Sequence, residues 1–189
     1  CVKNFGDRVN NWMVLNEPLV FVGAGYFLGI HAPGKKGMKN FLPAMHHATI
    51  CQAEGARIIK MKYPRAQVGT TFSCSLIEPL RATIKDKLAA QRIDALVNRL
   101  FIEPALGMGY PVDDLKFLKK LEKYRLPEDE ELLKFNFDFI GIQNYTREIV
   151  RHSWYIPLLK ARNIKADKRK VPFTEMNWEI FPDSIYEML

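Results

Sequence analysis

Two short polar sequences follow apolar runs in this chain, and both contain residue types that can do chemistry. Asn16, Glu17 and Pro18 come directly after the apolar run Trp12–Leu15. The sequence Gln-Asn-Tyr at Gln143–Tyr145 follows another apolar run. Burying a carboxylate at the end of an apolar strand costs free energy, so such a residue usually has a function. Glu17 is therefore a candidate proton donor and acceptor. The alternative is a helix start, with Asn16 as the cap and Glu17 and Pro18 in the first turn.

Strand-like and helix-like segments alternate along the chain. Short apolar runs bounded by turn residues predict strands at Trp12–Leu15, Gln67–Phe72 and Phe137–Tyr145. Helical periodicity and helix start signals predict helices at Phe41–Lys62, Asp86–Phe101, Val112–Tyr124, Glu128–Lys134 and after Phe181–Asp183. This alternation indicates an α/β fold with parallel strands that are buried on both faces. Because the working residues of such folds gather at strand ends, the two polar sequences are expected on the same edge of the sheet.

The length of the chain limits which parallel fold it can form. Three strands fit either an open sheet or a slice of a (β/α)8 barrel, and the sequence pattern does not distinguish them. A complete barrel needs roughly 250 residues, and this chain has 189. Its composition, 48% hydrophobic and 26% charged, is that of an ordinary soluble globular protein.

Membrane and secretory classes find no support in the sequence. No apolar run approaches the roughly 20 residues that span a bilayer, and the polar N-terminal segment lacks the features of a signal peptide. The chain begins with Cys1 rather than Met and contains three cysteines without a CxxC pair. A disulfide framework is therefore not expected, and the sequence predicts a reducing, cytoplasmic location and no membrane partner.

The positive charge of the chain is concentrated in one segment. The net charge is +7, and residues 147–170 contain eight Lys and Arg residues against two acidic residues. Such a run is usually a solvated loop, so residues 147–172 are expected to form a basic loop insertion rather than a nucleic-acid site. No metal site is expected either, because His47 and Cys51, one helical turn apart, supply only two ligands.

Four segments, in order along the chain, resemble family 1 glycoside hydrolases, the retaining β-glucosidases and β-galactosidases. WMVLNEPLVFVGAGYFLGIHAPG, residues 12–34, is similar to the acid/base segment of that family, and His46-His47 follows in register. FDFIGIQNYT, residues 137–146, and TEMNWEIFPDSIY, residues 174–186, match two later segments. The resemblance implies a (β/α)8 barrel. Residues 1–189 would be the central part of that single barrel, from strand four to just before strand seven, incomplete at both ends.

The same resemblance implies roles for the polar residues at the strand ends. Glu17 matches the general acid/base, and Asn16 matches the residue that hydrogen-bonds the 2-hydroxyl of the sugar. Tyr145 matches the tyrosine that orients the catalytic nucleophile. A retaining glycosidase needs two carboxyl groups about 5–5.5 Å apart, one as nucleophile and one as acid and then base. The chemistry needs no cofactor.

Other matched residues are expected to line the sugar pocket, with some departures from the family pattern. Trp178 matches an aromatic wall on the aglycone side, and His31 is expected at the pocket rim. Gln143 stands where many members have Asn, on the glycone side. Leu19 replaces a common Trp, and Asn177 replaces the Gly before Trp178.

The family nucleophile, a Glu in an ITENG-like motif, has no counterpart in these residues. Glu175 and Glu179 are the tempting substitutes, but both lie in the matched TEMNWEIFP segment, so neither is a good candidate. The parent protein is expected to hydrolyse small-molecule β-glycosides, with the missing barrel segments supplied by further sequence or companion chains. The chain alone is expected to be inactive. The alternative is a non-catalytic sugar-binding or interaction fragment derived from the same barrel.

Overall fold

The structure is a computed structural model that describes residues 1–189. Its strands are β1 (Asn11–Asn16), β2 (Gln67–Ser73), β3 (Leu76–Pro79), β4 (Phe139–Gln143), β5 (Arg147–His152) and β6 (Ala161–Asn163). Its α-helices are α1 (Val2–Phe5), α2 (Pro18–Val22), α3 (Met38–Lys62), α4 (Ile84–Asp94), α5 (Leu100–Ala105), α6 (Asp129–Leu133) and α7 (Ser184–Met188). Residues Gly23–Leu28 and Ala95–Arg99 are π-helical, and Lys116–Lys123 and Ala166–Lys168 form 3-10 helices.

The chain forms two compact units. The first contains Cys1–Phe72, Leu100–Tyr110 and Leu118–Ile142. The second contains Ser73–Arg99, Pro111–Phe117 and Gln143–Leu189. The prediction of one barrel domain across the whole chain stays a prediction.

The sheet of the first unit has the strand order β1-β2-β4. Strands β1 and β2 are parallel, with Trp12 opposite Val68 and Met13 opposite Gly69. The central strand β2 is buried along most of its length. The prediction that the strands are buried on both faces is wrong for β1. Trp12 and Val14 pack against the buried cluster of Ala56, Ala66 and Val68, whereas Met13, on the opposite face, is 59% exposed.

Helix α3 packs on this sheet through small residues. Its 25 residues begin after Gly37 and end at Lys62, followed by the C-cap Tyr63 and by Pro64. The buried side chains recur at helical spacing and include Ala53 and Ala56. A Cβ atom at Gly55 would lie 2.6 Å from the Val14 side chain, so only glycine allows α3 to approach β1 this closely.

The second unit is built on the sheet β3-β5-β6, with α4 packed against it. Strands β3 and β5 are parallel, and β5 and β6 are antiparallel. Val150 and Ala161 on the sheet and Ala89 and Ala90 on α4 form its buried core. The segment 147–172, predicted as a basic loop, contains two strands and a 3-10 helix, because Val150 and Ala161 anchor it on α4. Its cations other than Arg147 and Arg169 are exposed.

Most predicted helices are present, with altered bounds. The predicted helix 86–101 is a longer run that α4 begins and α5 ends, with a π-helical stretch between them. The region 112–124 contains a 3-10 helix, and a π-helical stretch continues α2 as far as Leu28. No helix combines the length and the apolar character that crossing a bilayer requires.

Candidate functional site

The backbone at the end of β1 sets the position of Glu17. Its φ and ψ of 47° and 63° lie in the left-handed region, which a residue with a side chain rarely occupies. The Glu17 N–H donates to the Thr71 carbonyl at 3.0 Å, and Pro18 begins α2 directly afterwards. The helix-start alternative is therefore correct for the backbone, but Glu17 rather than Asn16 is the cap residue. The Glu17 side chain makes no capping hydrogen bond to the helix.

The pairing of β1 with β2 becomes irregular next to Glu17. Met13 is opposite Gly69, whereas Asn16 is opposite Thr71, so β1 contains one more residue than β2 over this interval. An extra residue of this kind turns the following side chains and is common beside active sites. The irregularity and the left-handed Glu17 together direct the chain sharply at the strand end. Asn16 is exposed, and Glu17 is half-buried.

His31 lies in the first unit, in the loop that follows the π-helical stretch Gly23–Leu28. Its backbone N–H donates to the Ala24 carbonyl at 3.2 Å, and its side chain is exposed. The loop is closed by a further bond from the Gly34 N–H to the His31 carbonyl at 2.8 Å. This exposed position agrees with the rim role predicted for His31, which stays a prediction.

The structure brings three of the predicted site residues together in the second unit. The Tyr145 hydroxyl donates to Gln143 Oε1 at 2.5 Å. The rings of Tyr145 and Trp178 lie 5.3 Å apart between centroids, at an interplanar angle of 31°. Asn16 and Glu17 belong to the first unit. The prediction that they lie on the same sheet edge as Gln143–Tyr145 therefore stays a prediction.

The loop that carries Trp178 is fixed by a tight turn. The Thr174 N–H donates to the Trp178 carbonyl at 2.9 Å, and the Asn177 N–H donates to the Thr174 carbonyl at 2.8 Å. Asn177 has a φ of 62°, in the left-handed region that Gly and Asn tolerate best. Its side-chain oxygen accepts a hydrogen bond from the Asp167 N–H at 3.1 Å. Asn can therefore stand where the family pattern has Gly, and it adds an anchor that Gly lacks.

Glu179 follows Trp178 and is 4% exposed. Its carboxylate accepts hydrogen bonds from Arg147 at 2.6 and 3.1 Å and from Arg169 at 2.7 Å. These bonds, chiefly those from Arg147, hold the pKa of Glu179 below its usual value. Sequence reasoning considered this residue only as a substitute nucleophile. Its arginine partners lie in the basic segment that precedes it, 32 and 10 residues away, and no local sequence pattern connects them to Glu179.

His46 in α3 is fully buried and belongs to a hydrogen-bond network away from these strand ends. Its Nε2 lies 2.8 Å from Asp129 Oδ2, and its Nδ1 lies 3.1 Å from the Tyr110 hydroxyl. Burial lowers the pKa of His46, against the opposing effect of Asp129. His47 and Cys51 are exposed on the same helix, and the structure contains no group of three or more potential ligands for a metal ion.

Comparison with known proteins identifies the family of this chain. The model of glycosyl hydrolase family 1 matches residues 1–189. The 1,4-beta-D-glucan glucohydrolase of Thermotoga neapolitana is 31% identical over 188 residues, which are 99% of this chain and 43% of that protein. Beta-glucosidase A of Acetivibrio thermocellus is 32% identical over 191 residues, covering 99% of this chain and 42% of its own length.

A solved structure gives the same result for the fold. The family 1 β-glucosidase from Thermotoga maritima superimposes with a TM-score of 0.88 at 29% identity, covering 97% of this chain and 41% of that one. The chain thus spans about two fifths of the length of the relatives it matches. The predicted fold class is confirmed, since the parallel strands and helices form part of a (β/α)8 barrel. The chain belongs to glycosyl hydrolase family 1.

Proposed function

We propose that the protein containing this chain hydrolyses the β-glycosidic bonds of small-molecule glycosides, as a β-glucosidase-like enzyme that retains anomeric configuration. Membership of the family and the names of the relatives support this reaction class. The observation that carries the proposal within the structure is the left-handed backbone of Glu17, at the end of a parallel strand. Working residues of such folds lie at these strand ends, and rare backbone conformations cluster at functional sites.

In the proposed mechanism, Glu17 first acts as a general acid. It protonates the glycosidic oxygen while a second carboxylate, from sequence outside these residues, attacks the anomeric carbon from the opposite face. The bond to the leaving oxygen breaks, and a covalent glycosyl-enzyme ester forms. Glu17, now a carboxylate, takes a proton from water, and the resulting attack releases the sugar and restores both groups.

The neighbouring residues are assigned supporting roles in this proposal. Asn16 hydrogen-bonds the 2-hydroxyl of the sugar, a contact that strengthens in the transition state and therefore acts on the rate of the chemical step. Tyr145 orients the nucleophile. Its hydroxyl carries one hydrogen, which Gln143 accepts here, so the nucleophile would have to compete with Gln143 for it.

The pocket walls follow from the same assignment. Trp178 forms the aglycone wall together with the ring of Tyr145, and Gln143 contacts the glycone. His31 lies at the rim. We propose no cofactor for this reaction, because two carboxyl groups supply all of its proton transfers and its nucleophile. The cytoplasmic location predicted from the sequence is also kept as a proposal.

Two measurements test this function. The full-length enzyme should release the β-anomer of the sugar first from an aryl β-glucoside, as observed by proton NMR before mutarotation. First release of the α-anomer would contradict the retaining mechanism. The 189-residue chain alone should give no turnover of the same substrate, and rapid turnover by it would overturn the proposed division of the two carboxylates. Calorimetric sugar binding by the chain alone would instead support the non-catalytic alternative.

A further inference from the structure

A buried ion cluster lies directly beside the aromatic pair formed by Tyr145 and Trp178. The Glu179 clamp consists of Glu179, Arg147 and Arg169. Glu179 Oε1 accepts a hydrogen bond from Arg147, and Glu179 Oε2 accepts bonds from both Arg147 and Arg169. Three charge-assisted bonds to one carboxylate fix its orientation as well as its charge.

The arginines of the clamp are themselves held by the surrounding elements. Arg147 donates to Glu78 Oε2 on β3 at 3.0 Å, and its guanidinium carbon lies 3.9 Å from the centre of the Phe181 ring. Arg169 donates from Nε to the Ile164 carbonyl at 3.0 Å. The clamp therefore connects the segment around Glu179 to the sheet of the second unit.

The clamp also joins the two backbone segments that carry the aromatic pair. Thr146 and Arg147 follow Tyr145 in the chain, and Glu179 follows Trp178. The Thr146 hydroxyl donates to the Glu179 carbonyl at 3.3 Å. The residue after Tyr145 is thus hydrogen-bonded to the residue after Trp178. This bond holds the two backbones side by side, and the ring centroids of Tyr145 and Trp178 lie 5.3 Å apart.

Stability alone is a poor explanation for this cluster. Taking charged groups out of water costs about as much as their attraction returns, and apolar residues of similar volume often replace buried ion pairs without loss of stability. An ion cluster fixes the geometry of its members, because each carboxylate oxygen has a directed donor. An apolar contact does not fix geometry in this way. In this structure, that geometry is imposed on the residue adjacent to Trp178.

We propose that Glu179 is a positioning residue, which acts through Trp178 by holding it against Tyr145 as the aglycone wall. The role of that wall rests on the function proposed above, whereas the positioning itself rests on the clamp. Without the Glu179 charge, Arg147 and Arg169 lose their shared counter-ion, and the Trp178 turn loses the side-chain attachment that orients it, while the bond from the Thr146 hydroxyl to the Glu179 carbonyl remains. Aglycones that stack on Trp178 should then bind less well, and leaving groups too small to reach it should not be affected.

The kinetic test compares two substrates in Glu179→Gln of the full-length enzyme. The wall contributes an aromatic contact, so kcat/KM for 4-nitrophenyl β-glucoside should fall about 3- to 10-fold, mainly through KM. For β-glucosyl fluoride, whose leaving group cannot stack, kcat/KM should stay within about 2-fold of the unsubstituted enzyme. Glu175→Gln is the matched control, since Glu175 is exposed in the same segment and loses the same charge. Equal losses on both substrates, or none, would overturn the proposal.

Two further arms keep the proposal independent of folding failure and of the proposed reaction. Glu179→Asp retains the buried charge and withdraws the carboxylate by one methylene, so it should show the same aryl-selective loss at smaller size. An equal loss on both substrates would count against positioning.

Trp178 can also be observed directly by fluorescence after Trp12→Phe, Trp154→Phe and replacement of every tryptophan that the full-length enzyme carries outside these 189 residues, because Trp12, Trp154 and Trp178 are the three tryptophans of this chain. In that background, acrylamide should quench Trp178 more strongly after Glu179→Gln and not after Glu175→Gln. Unchanged quenching overturns the positioning role. Increased quenching in an enzyme that is inactive on all β-glucosides would instead refute only the proposed function.

Discussion

Replacement of Asp129 by alanine should destabilise the first unit through the buried histidine of α3. Asp129 Oδ2 lies 2.8 Å from His46 Nε2 and accepts the Leu126 N–H at 2.7 Å. An ionised carboxylate only accepts hydrogen bonds, so the proton on the ring lies on Nε2. Nδ1 of the neutral ring then accepts from the Tyr110 hydroxyl.

The expected magnitude follows from which donors lose their acceptor. His46 is fully buried, so water cannot replace Asp129, and an unsatisfied buried donor costs about 1–3 kcal/mol. Leu126 is 59% exposed, so its N–H can reach water and adds less. Together with the lost packing of the side chain, Asp129→Ala should lower the free energy of unfolding by about 2–4 kcal/mol.

Urea unfolding at pH 7.5 measures this effect, and two variants sharpen it. One and the same oxygen of Asp129 accepts both bonds, so an asparagine can keep both, and Asp129→Asn should cost no more than about 1 kcal/mol. Asp113 pairs with Lys116 on the surface, so Asp113→Ala should change stability by less than about 0.5 kcal/mol. If Asp129→Ala lowers the free energy of unfolding no more than Asp113→Ala does, the buried network of His46 and Asp129 does not stabilise α3.

Two further results are expected. Burial lowers the pKa of His46, so the unfolded chain binds a proton near pH 6.5 that the folded chain does not. The free energy of unfolding should therefore fall as pH decreases from 6.5 toward the lowered pKa, by up to about 1.4 kcal/mol per pH unit. This dependence on pH should be weaker in His46→Gln. Equal pH dependence of the two proteins, measured by urea unfolding at several pH values, would refute this. A Cβ atom at Gly69 would lie 2.4 Å from the Phe139 ring and 2.6 Å from its carbonyl, so Gly69→Ala should cost about 1–3 kcal/mol in urea unfolding. An unchanged urea midpoint for Gly69→Ala would contradict the tight packing between β2 and β4.

The sequence predicts the elements that have a strong local signal. Strand β2 and helix α3 were found within a few residues of their observed bounds, because an apolar run and a helical stripe are local patterns. Strands β5 and β6 were missed. They alternate Arg and other polar residues with a few apolar ones, and only packing of Val150 and Ala161 on α4 makes them strands. That packing joins segments distant in sequence, so no local pattern reveals it.

The candidate site was predictable in its residue types and not in its geometry. Motif resemblance selected Glu17, Tyr145 and Trp178, and the contact between the last two agrees with a shared wall. The left-handed backbone of Glu17 was not foreseen, because it depends on pairing with β2 and on Pro18 beginning a helix. The partners of Glu179 lie 10 and 32 residues away in the sequence, and only the fold brings these charges together.

The most direct test of the proposed chemistry is the leaving-group dependence of Glu17→Gly in the full-length enzyme, with and without azide. If Glu17 is the acid/base, kcat/KM should fall by about 10²–10⁴ for phenyl β-glucoside, whose leaving oxygen needs a proton. It should fall little for 2,4-dinitrophenyl β-glucoside, whose leaving group departs unprotonated. Azide should then accelerate turnover of that substrate and yield β-glucosyl azide, because azide, unlike water, needs no general base to attack the glycosyl-enzyme. Equal losses on both substrates with no azide product, or undiminished activity, would contradict the assignment of Glu17.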